Sequence, residues 1–311
     1  MNLINVIIWI NFITENLFKN NDFLNYCRIA DSNVTQGKIV VLPQVGSLPV
    51  VVRNRTSVPA TVSKRTDTSI VYVIDEFTTD PTLIPNADQY ELSYDKMSSV
   101  LGDHMDTLRE TVADNLIYEW LRDFTYAGAG TTLAAPTITT TGTAVATHLA
   151  STTGTRKKFT KEDLKAMKLL FDKQKVGQGD RYALVSSDMM SQLLNDADLM
   201  VRDGSFGGEL DIKNGTINKL YGFQIIERPS TAIYSAANVV KAPGAIAVAS
   251  DNDSVVCWQK NCVERAMGEI KFFEKIGDPQ YYGDMYSALV RFGGRKTRIN
   301  AEGIGAIVQV A

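Results

Sequence analysis

The sequence predicts an α+β fold whose parts follow one another along the chain: an apolar arm, a polar ribbon, one long helix and a compact α/β unit. Three observations carry this. No Asp or Glu occurs between Asp31 and Asp67, while Arg53, Arg55, Lys64 and Arg65 fall inside that stretch. Apolar residues then recur at helical spacing from Met97 to Phe124. Beyond residue 160, short apolar runs suited to strands alternate with short amphipathic stretches, as an α/β unit requires.

With 311 residues the chain is long enough for one large domain or two ordinary ones. Hydrophobic residues make up 44% and charged residues 22%, the balance of a folded soluble protein. A formal net charge of -3 excludes a polyanion binder that works by bulk charge. The odd set Cys27, Cys257 and Cys262, irregularly spaced, argues against a disulfide framework and for buried free thiols. No metal site is expected, because His104 and His148 lie far from the cysteines in sequence.

The N-terminal MNLINVIIWINFITENLF lacks the basic flank and small-residue cleavage site of a signal peptide. Its apolar run is also shorter than the ~20 residues that span a bilayer. It reads as an amphipathic or extended arm, broken by Asn20, Asn21 and Asp22, that packs on another part of an assembly. The sequons at Asn33, Asn54 and Asn214 carry no weight without secretion.

From Pro43 to Pro81 the chain reads as extended, with strands expected at Val50–Val52 and Ile70–Ile74. The polar, basic connection between them is too long for a tight hairpin, which closes in about 2–5 residues. A two-stranded ribbon is marginal in water. It needs a surface to lie on, and a neighbouring subunit is the expected one.

Next, Met97, Leu101, Met105, Leu108, Val112, Leu116, Trp120 and Phe124 place one apolar stripe on a helix spanning Ser93 to Phe124, with Ser93 and Asp95 as candidate caps. At ~1.5 Å per residue it would measure about 45–50 Å. The opposite face holds Asp103, Asp106, Arg109, Glu110, Asp114 and Glu119. Residues 127–155, rich in Ala, Gly and Thr, read as a loop or hinge insertion, ended by the basic patch Arg156-Lys157-Lys158.

Thr160 with Asp163 resembles a capping box opening a helix with Leu164, Met167, Leu170 and Phe171 on its apolar face. A buried strand is expected at Arg181–Ser186, a helix at Asp188–Asn195, a turn at Gly204–Gly208 and a strand at Leu220–Glu227. Ala245–Ala249 reads as a strand covered on both faces. Strands at Ser254–Trp258, Glu269–Lys275, Met285–Phe292 and Gly305–Val310 complete the chain.

Chemistry is not written in the motifs. Dinucleotide, Walker A, nucleophile-elbow and zincin patterns are absent. With only His104 and His148, a Ser-His-Asp arrangement is not expected. Asp75-Glu76 and Asp251-Asp253 read as solvated carboxylates, and the glycine-rich Gly277–Asp284 lacks the lysine of a phosphate cradle. The run Arg291, Arg295, Lys296 and Arg298 offers phosphate contact or a subunit-facing basic strand. No catalytic residue and no cofactor is assigned.

Several segments resemble the major capsid proteins of tailed bacteriophages with the Hong Kong 97 (HK97) fold. They are VPATVSKRTD (Val58–Asp67), DEFTTDP (Asp75–Pro81), ELSYDKMSSVLGDHMDTL (Glu91–Leu108), RYALVSSDMMSQLLND (Arg181–Asp196), KLYGFQIIERP (Lys219–Pro229) and GDPQYYGDMYSALVRFGGRKTR (Gly277–Arg298). The likeness is greatest to coat proteins of phages infecting Bacteroidetes. The ordered set, rather than any one segment, carries the resemblance.

The resemblance implies an N-terminal arm at 1–42 and a β-ribbon called the E-loop at 43–80. It implies a peripheral domain with a long spine helix at 81–159 and 254–298, and an axial α/β domain at 160–253 and 299–311. It further implies hexamers and pentamers of an icosahedral head that encloses double-stranded DNA without sequence-specific binding. Such a head is assembled in the host bacterial cytoplasm with portal, scaffolding and decoration proteins as partners and no membrane. Because the arm starts near Met1, any scaffold is expected to be a separate protein. Some relatives join an E-loop lysine to a neighbour's asparagine; Lys64 with Asn261 or Asn300 would correspond, but the loop around Lys64 is ordinary and no crosslink is expected.

Two alternatives compete: an encapsulin-type cargo compartment, which shares the fold, and an enzyme of unknown type, for which no constellation exists. For the shell reading, Arg53, Arg55, Lys64 and Arg65 are expected to meet carboxylates of an adjacent subunit, drawn from Asp75, Glu76, Asp80, Asp103, Asp106 and Glu110.

Overall fold

Two sheets and one long helix share a continuous core in this computed structural model. It describes residues 21–35, 38–44, 46, 49–56, 58–62, 64–85, 96–125, 132–195, 210–211 and 216–311. Most of the expected arm, the candidate caps Ser93 and Asp95, and the Gly204–Gly208 turn lie outside the described residues.

The chain enters through the short strands β1 (Arg28–Ile29) and β2 (Val34–Thr35). The ribbon follows as β3 (Ile39–Gln44) paired antiparallel with β4 (Thr68–Val73), in register from Ile39↔Val73 to Gln44↔Thr68. The expected strand at Val50–Val52 is therefore a correction: those residues form no strand, and Val51 is 93% exposed. The physical reason is the facing partner. Val40 and Leu42 alternate inward with Ile70 and Tyr72 and find a small core, whereas Val50–Val52 join no buried cluster among the described residues.

Strands β5 (Asp75–Thr78) and β6 (Thr82–Pro85) lead to helix α1 (Lys96–Leu121). Its 26 residues measure about 39 Å. Met105, Leu108, Val112, Leu116 and Trp120 of the expected stripe are buried. The helix is shorter than the periodicity suggested because Phe124 has already passed into β7 (Phe124–Thr125).

The Ala/Gly/Thr-rich segment is also a correction. It is not only a loop: it holds β8 (Thr132–Leu133), β9 (Thr137–Thr139) and β10 (Ala144–Ala146), the last paired with β11 (Thr155–Lys157). Threonine suits a pleated surface, and β9 closes one edge of the larger sheet by pairing parallel with the C-terminal strand.

Helix α2 (Lys161–Lys173) starts as expected: Thr160 N–H donates to Asp163 Oδ2 at 2.9 Å. Asp163 also accepts from the Thr141 amide and hydroxyl, so the cap pins the preceding insertion. Then come β12 (Arg181–Ser186), α3 (Ser187–Leu194), β13 (Leu210–Asp211), β14 (Thr216–Ile217), β15 (Lys219–Leu220) and β16 (Phe223–Arg228). The chain ends with β17 (Ser254–Gln259), β18 (Val263–Asp278), β19 (Gly283–Lys296) and β20 (Ile304–Val308).

The five-stranded sheet runs β1-β18-β19-β5, with β6 also on β19; the six-stranded sheet runs β15-β16-β12-β17-β20-β9. Thus β9 and β17, from the expected segments 81–159 and 254–298, pair in one sheet with β12 and β20, and β3, which straddles the expected boundary at residue 42, pairs with β4. Residues Ala245–Ala249 form no strand; Ile246 is 82% exposed. Polar groups hold that loop from beneath: Lys241 Nζ donates to Ile246 O at 2.9 Å, and Val248 N–H donates to Asp251 Oδ2 at 2.7 Å.

Helix α1 packs on β19. A side chain on Gly294 would collide with Glu264 O and Leu116, which is why the glycine pair Gly293-Gly294 stands there. The main core joins both sheets through Trp120 and Trp258, whose ring centroids are 5.6 Å apart. A second core lies between the six-stranded sheet and the inner faces of α2 and α3, including Leu164, Met167, Phe171, Met189 and Leu193.

Leu108→Ala removes a side chain buried to 4% exposure and should cost about 2–5 kcal/mol of unfolding free energy. Urea denaturation of the unassembled subunit measures it; an unchanged midpoint would contradict the packing of α1.

Candidate functional site

Between Gln44 and Thr68 the ribbon leaves its own body. Arg53, Arg55 and Lys64 are exposed and form no ion pair among the described residues. Arg65 is different. Its Nε lies 2.5 Å from Asp67 Oδ1, which also accepts from Gly46 N–H at 2.9 Å, so this pair closes the base of the tip. The Arg65 hydrogen bond, and then that of Gly46, hold the Asp67 carboxyl below the usual carboxylate range. The tip also displays Val50, Val51, Val58 and Val62 almost fully to solvent.

Of the acidic residues singled out in the sequence, Glu76, Asp80 and Asp103 line one open groove of about 610 Å³, where the bend from β5 to β6 meets α1. Phe77 and Leu108 supply its apolar part, and Thr78, Thr79, Thr107 and Thr111 its hydroxyls. His104 Nε2 lies 2.7 Å from Thr82 Oγ1, and burial lowers its pKa, outweighing the opposing effect of Asp103, so the imidazole is neutral at neutral pH. Glu76 is partly engaged by Arg291 Nε at 3.0 Å. Asp75, Asp106 and Glu110 do not line the groove: Asp75 is exposed on β5, Asp106 pairs with Arg109 at 3.0 Å, and Glu110 is exposed on α1.

Other basic residues are structural. Arg156 is buried rather than part of a surface patch; it donates to Asn252 Oδ1 at 2.7 Å and to Ala249 O and Asp251 O at 3.1 Å. Arg295 and Lys296 are likewise buried, so they face no phosphate in solvent. Arg295 pairs with Glu119 of α1, and Lys296 Nζ donates to Arg122 O at 3.0 Å. Burial pushes the Lys296 ammonium down to about 8.

Asp251 and Asp253, expected as solvated carboxylates, are a correction: both are buried, and a polar cluster surrounds Asp253. His148 Nε2 lies 2.9 Å from Asp253 Oδ2, and Ser186 Oγ donates to the same oxygen at 2.6 Å. Serine and histidine both bind the carboxylate rather than each other, so the relay of a nucleophilic triad is not built. The three thiols are buried, and burial drives them upward, Cys27 to about 12. No group of three or more metal-ligating side chains occurs among the described residues.

A model of the phage capsid protein family matches residues 27–310, and the chain belongs to that family. Its fold is the HK97-like capsid fold. The capsid of cyanophage P-SCSP1u is 18% identical with a TM-score of 0.63, covering 91% of this chain and 85% of that one. The cyanophage Pam1 capsid is 13% identical with a TM-score of 0.65, covering 93% and 92%. The virus-like particle from Pyrococcus furiosus is 10% identical with a TM-score of 0.54, covering 97% and 99%. No curated protein matches by sequence. The family match, rather than the fold, decides against the cargo-compartment alternative.

The His148–Asp253 contact gives a pH prediction. The Asp253 hydrogen bond, opposed by burial, raises the His148 pKa. That stability is therefore fully present below the ordinary histidine value of about 6.5 and is lost as pH rises through the folded value. His148→Asn should flatten the thermal-melting profile across that window. A variant that keeps the wild-type pH dependence would show that His148 does not cause it.

Proposed function

We propose that this chain is the major capsid protein of a tailed phage. Many copies build hexamers and pentamers of an icosahedral head around double-stranded DNA, in the host cytoplasm, with portal, scaffolding and decoration proteins as partners. The observation that carries this is the family match over residues 27–310 on a chain whose ribbon tip leaves Val50, Val51, Val58 and Val62 exposed among the described residues. As a structural protein of the virion capsid it needs no catalytic centre.

The division of labour follows the sheets. The arm takes the N-terminal residues, and β3 and β4 root the E-loop. Helix α1 with β5, β6, β18 and β19 forms the peripheral domain. The six-stranded sheet with α2 and α3, including β9 and β17, forms the axial domain.

The ribbon tip of one subunit lies over the next. Arg53, Arg55 and Lys64 then meet the neighbour's groove carboxylates Glu76, Asp80 and Asp103, while Arg65 stays with Asp67 of its own loop. Asp75, Asp106 and Glu110 form the acidic surroundings. The valines of the tip add apolar contact. Exposed pairs contribute only ~0–1 kcal/mol each, but repetition around a closed shell multiplies them.

Deleting Asn54–Ser63 should leave a soluble subunit with native far-UV circular dichroism and no shells by electron microscopy. Normal shells from the deleted chain would show that the tip is not a contact. A charge swap tests the pairing itself. Arg53→Glu with Arg55→Glu should abolish shells at low salt, and adding Asp80→Lys with Asp103→Lys should restore them. Assembly of the first variant at wild-type yield would leave the tip held by its valines alone.

A further inference from the structure

Glu264 of β18 has a side chain that is 0% exposed, yet no contact described above explains it. It stands between Arg28 of β1 and Arg295 of β19, its cross-strand neighbours. Tyr72 of β4 donates its hydroxyl to Glu264 Oε1 at 2.9 Å, which ties the ribbon root to the body. Trp120 of α1 donates its indole N–H to the Glu264 carbonyl at 3.0 Å. The other carboxylate oxygen, Oε2, is buried and accepts no hydrogen bond. Arg28 Nε lies 4.0 Å away on a side chain that is 47% exposed. Arg295 is engaged by Glu119. A buried anionic oxygen without a donor is costly, and native structures rarely keep one without a purpose.

We propose that Glu264 is a proton-operated latch on the root of the ribbon. With a proton on Oε2 the acid is neutral, needs no cation and keeps the Tyr72 bond. When the proton leaves to solvent, the carboxylate gains by moving toward water and Arg28. That movement breaks the Tyr72 bond, because burial of the charge outweighs the hold that Tyr72 keeps on a carboxylate, and it loosens β3 and β4, whose remaining packing at this point is the small cluster of Ala30, Val40, Ile74 and Ala266.

Burial, opposed by Tyr72 and Arg28, raises the Glu264 pKa above the ordinary glutamate value. The latch is therefore closed below that ordinary value and opens as pH rises through the folded one. The surrounding groups do not replace it. Burial lifts the Tyr72 phenol well out of range and Cys27 to about 12, so both stay protonated. Arg28, Arg265 and Arg295 supply the positive charge nearby. Glu119, also raised by burial, is a competing carboxyl, and Asp31 and Asp75 complete the charged surroundings. The latch bears on assembly only through the reading of the ribbon as a contact between subunits; the opening itself belongs to the single subunit.

Hydrogen exchange of the full chain, dilute enough to stay unassembled, measures the opening of β3 and β4 directly. After correction for intrinsic exchange, the wild-type opening constant should rise by up to about tenfold per pH unit within the titration window. Glu264→Gln, neutral and near-isosteric, should be independent of pH and as closed as the wild type at low pH. Tyr72→Phe should be looser at every pH. A wild-type root that opens equally at all pH values overturns the latch, and so does a Glu264→Gln chain that keeps the wild-type dependence, which would move the effect to Glu119. Either result would leave the shell reading untouched.

Discussion

The body depends on the contact between Trp120 of the long helix and Trp258 of the six-stranded sheet. Phe23 meets both rings edge-on, with centroids at 6.1 and 6.3 Å. Tyr182 stacks on Trp258, and Tyr26 stacks on Tyr182 at 4.6 Å. Each indole N–H has a partner: Trp120 gives its own to Glu264 O, and Trp258 donates to Tyr26 O at 2.8 Å. Aromatic burial of this size dominates a core. Because this cluster joins the segment at residues 23–26, the helix and both sheets, the body behaves as one packed unit.

The most exposed apolar side chains among the described residues lie outside that cluster. The ribbon is fastened at its root by Tyr72, by a small apolar cluster and by Gln44, whose amide donates to Thr297 O at 2.8 Å. Its tip carries Val50, Val51, Val58, Val62, Arg53 and Arg55, all exposed among the described residues. The loop around Ile246 is exposed by a different route. Buried Arg156 and the Lys241–Asp251 pair bind its backbone, so its apolar side chains stand in water on a fixed support.

Local patterning revealed what local physics determines. The four-and-three spacing from Met105 to Trp120 marked the helix face, Thr160 with Asp163 marked a cap, and RYALVS marked a central strand buried at every position. The failures share one cause. Val50–Val52 and Ala245–Ala249 are apolar runs that stay largely exposed, and periodicity cannot tell a buried run from an exposed one. Arg156 and Lys296 read as surface charge because their acceptors lie far away in sequence. The acidic stretch from Asp75 was visible, but the groove was not. It exists only where the β5–β6 bend meets α1, which separates Glu76, Asp80 and Asp103 from Asp106 and Glu110.

The central claim is that the body folds alone while the ribbon tip holds subunits together. Electron cryomicroscopy of the purified full-length chain tests it most directly. The account predicts closed shells in which density for residues 49–67 of one subunit lies over the α1 groove of the next. Discrete subunits that never close into shells, or a tip folded back onto its own body, would contradict it.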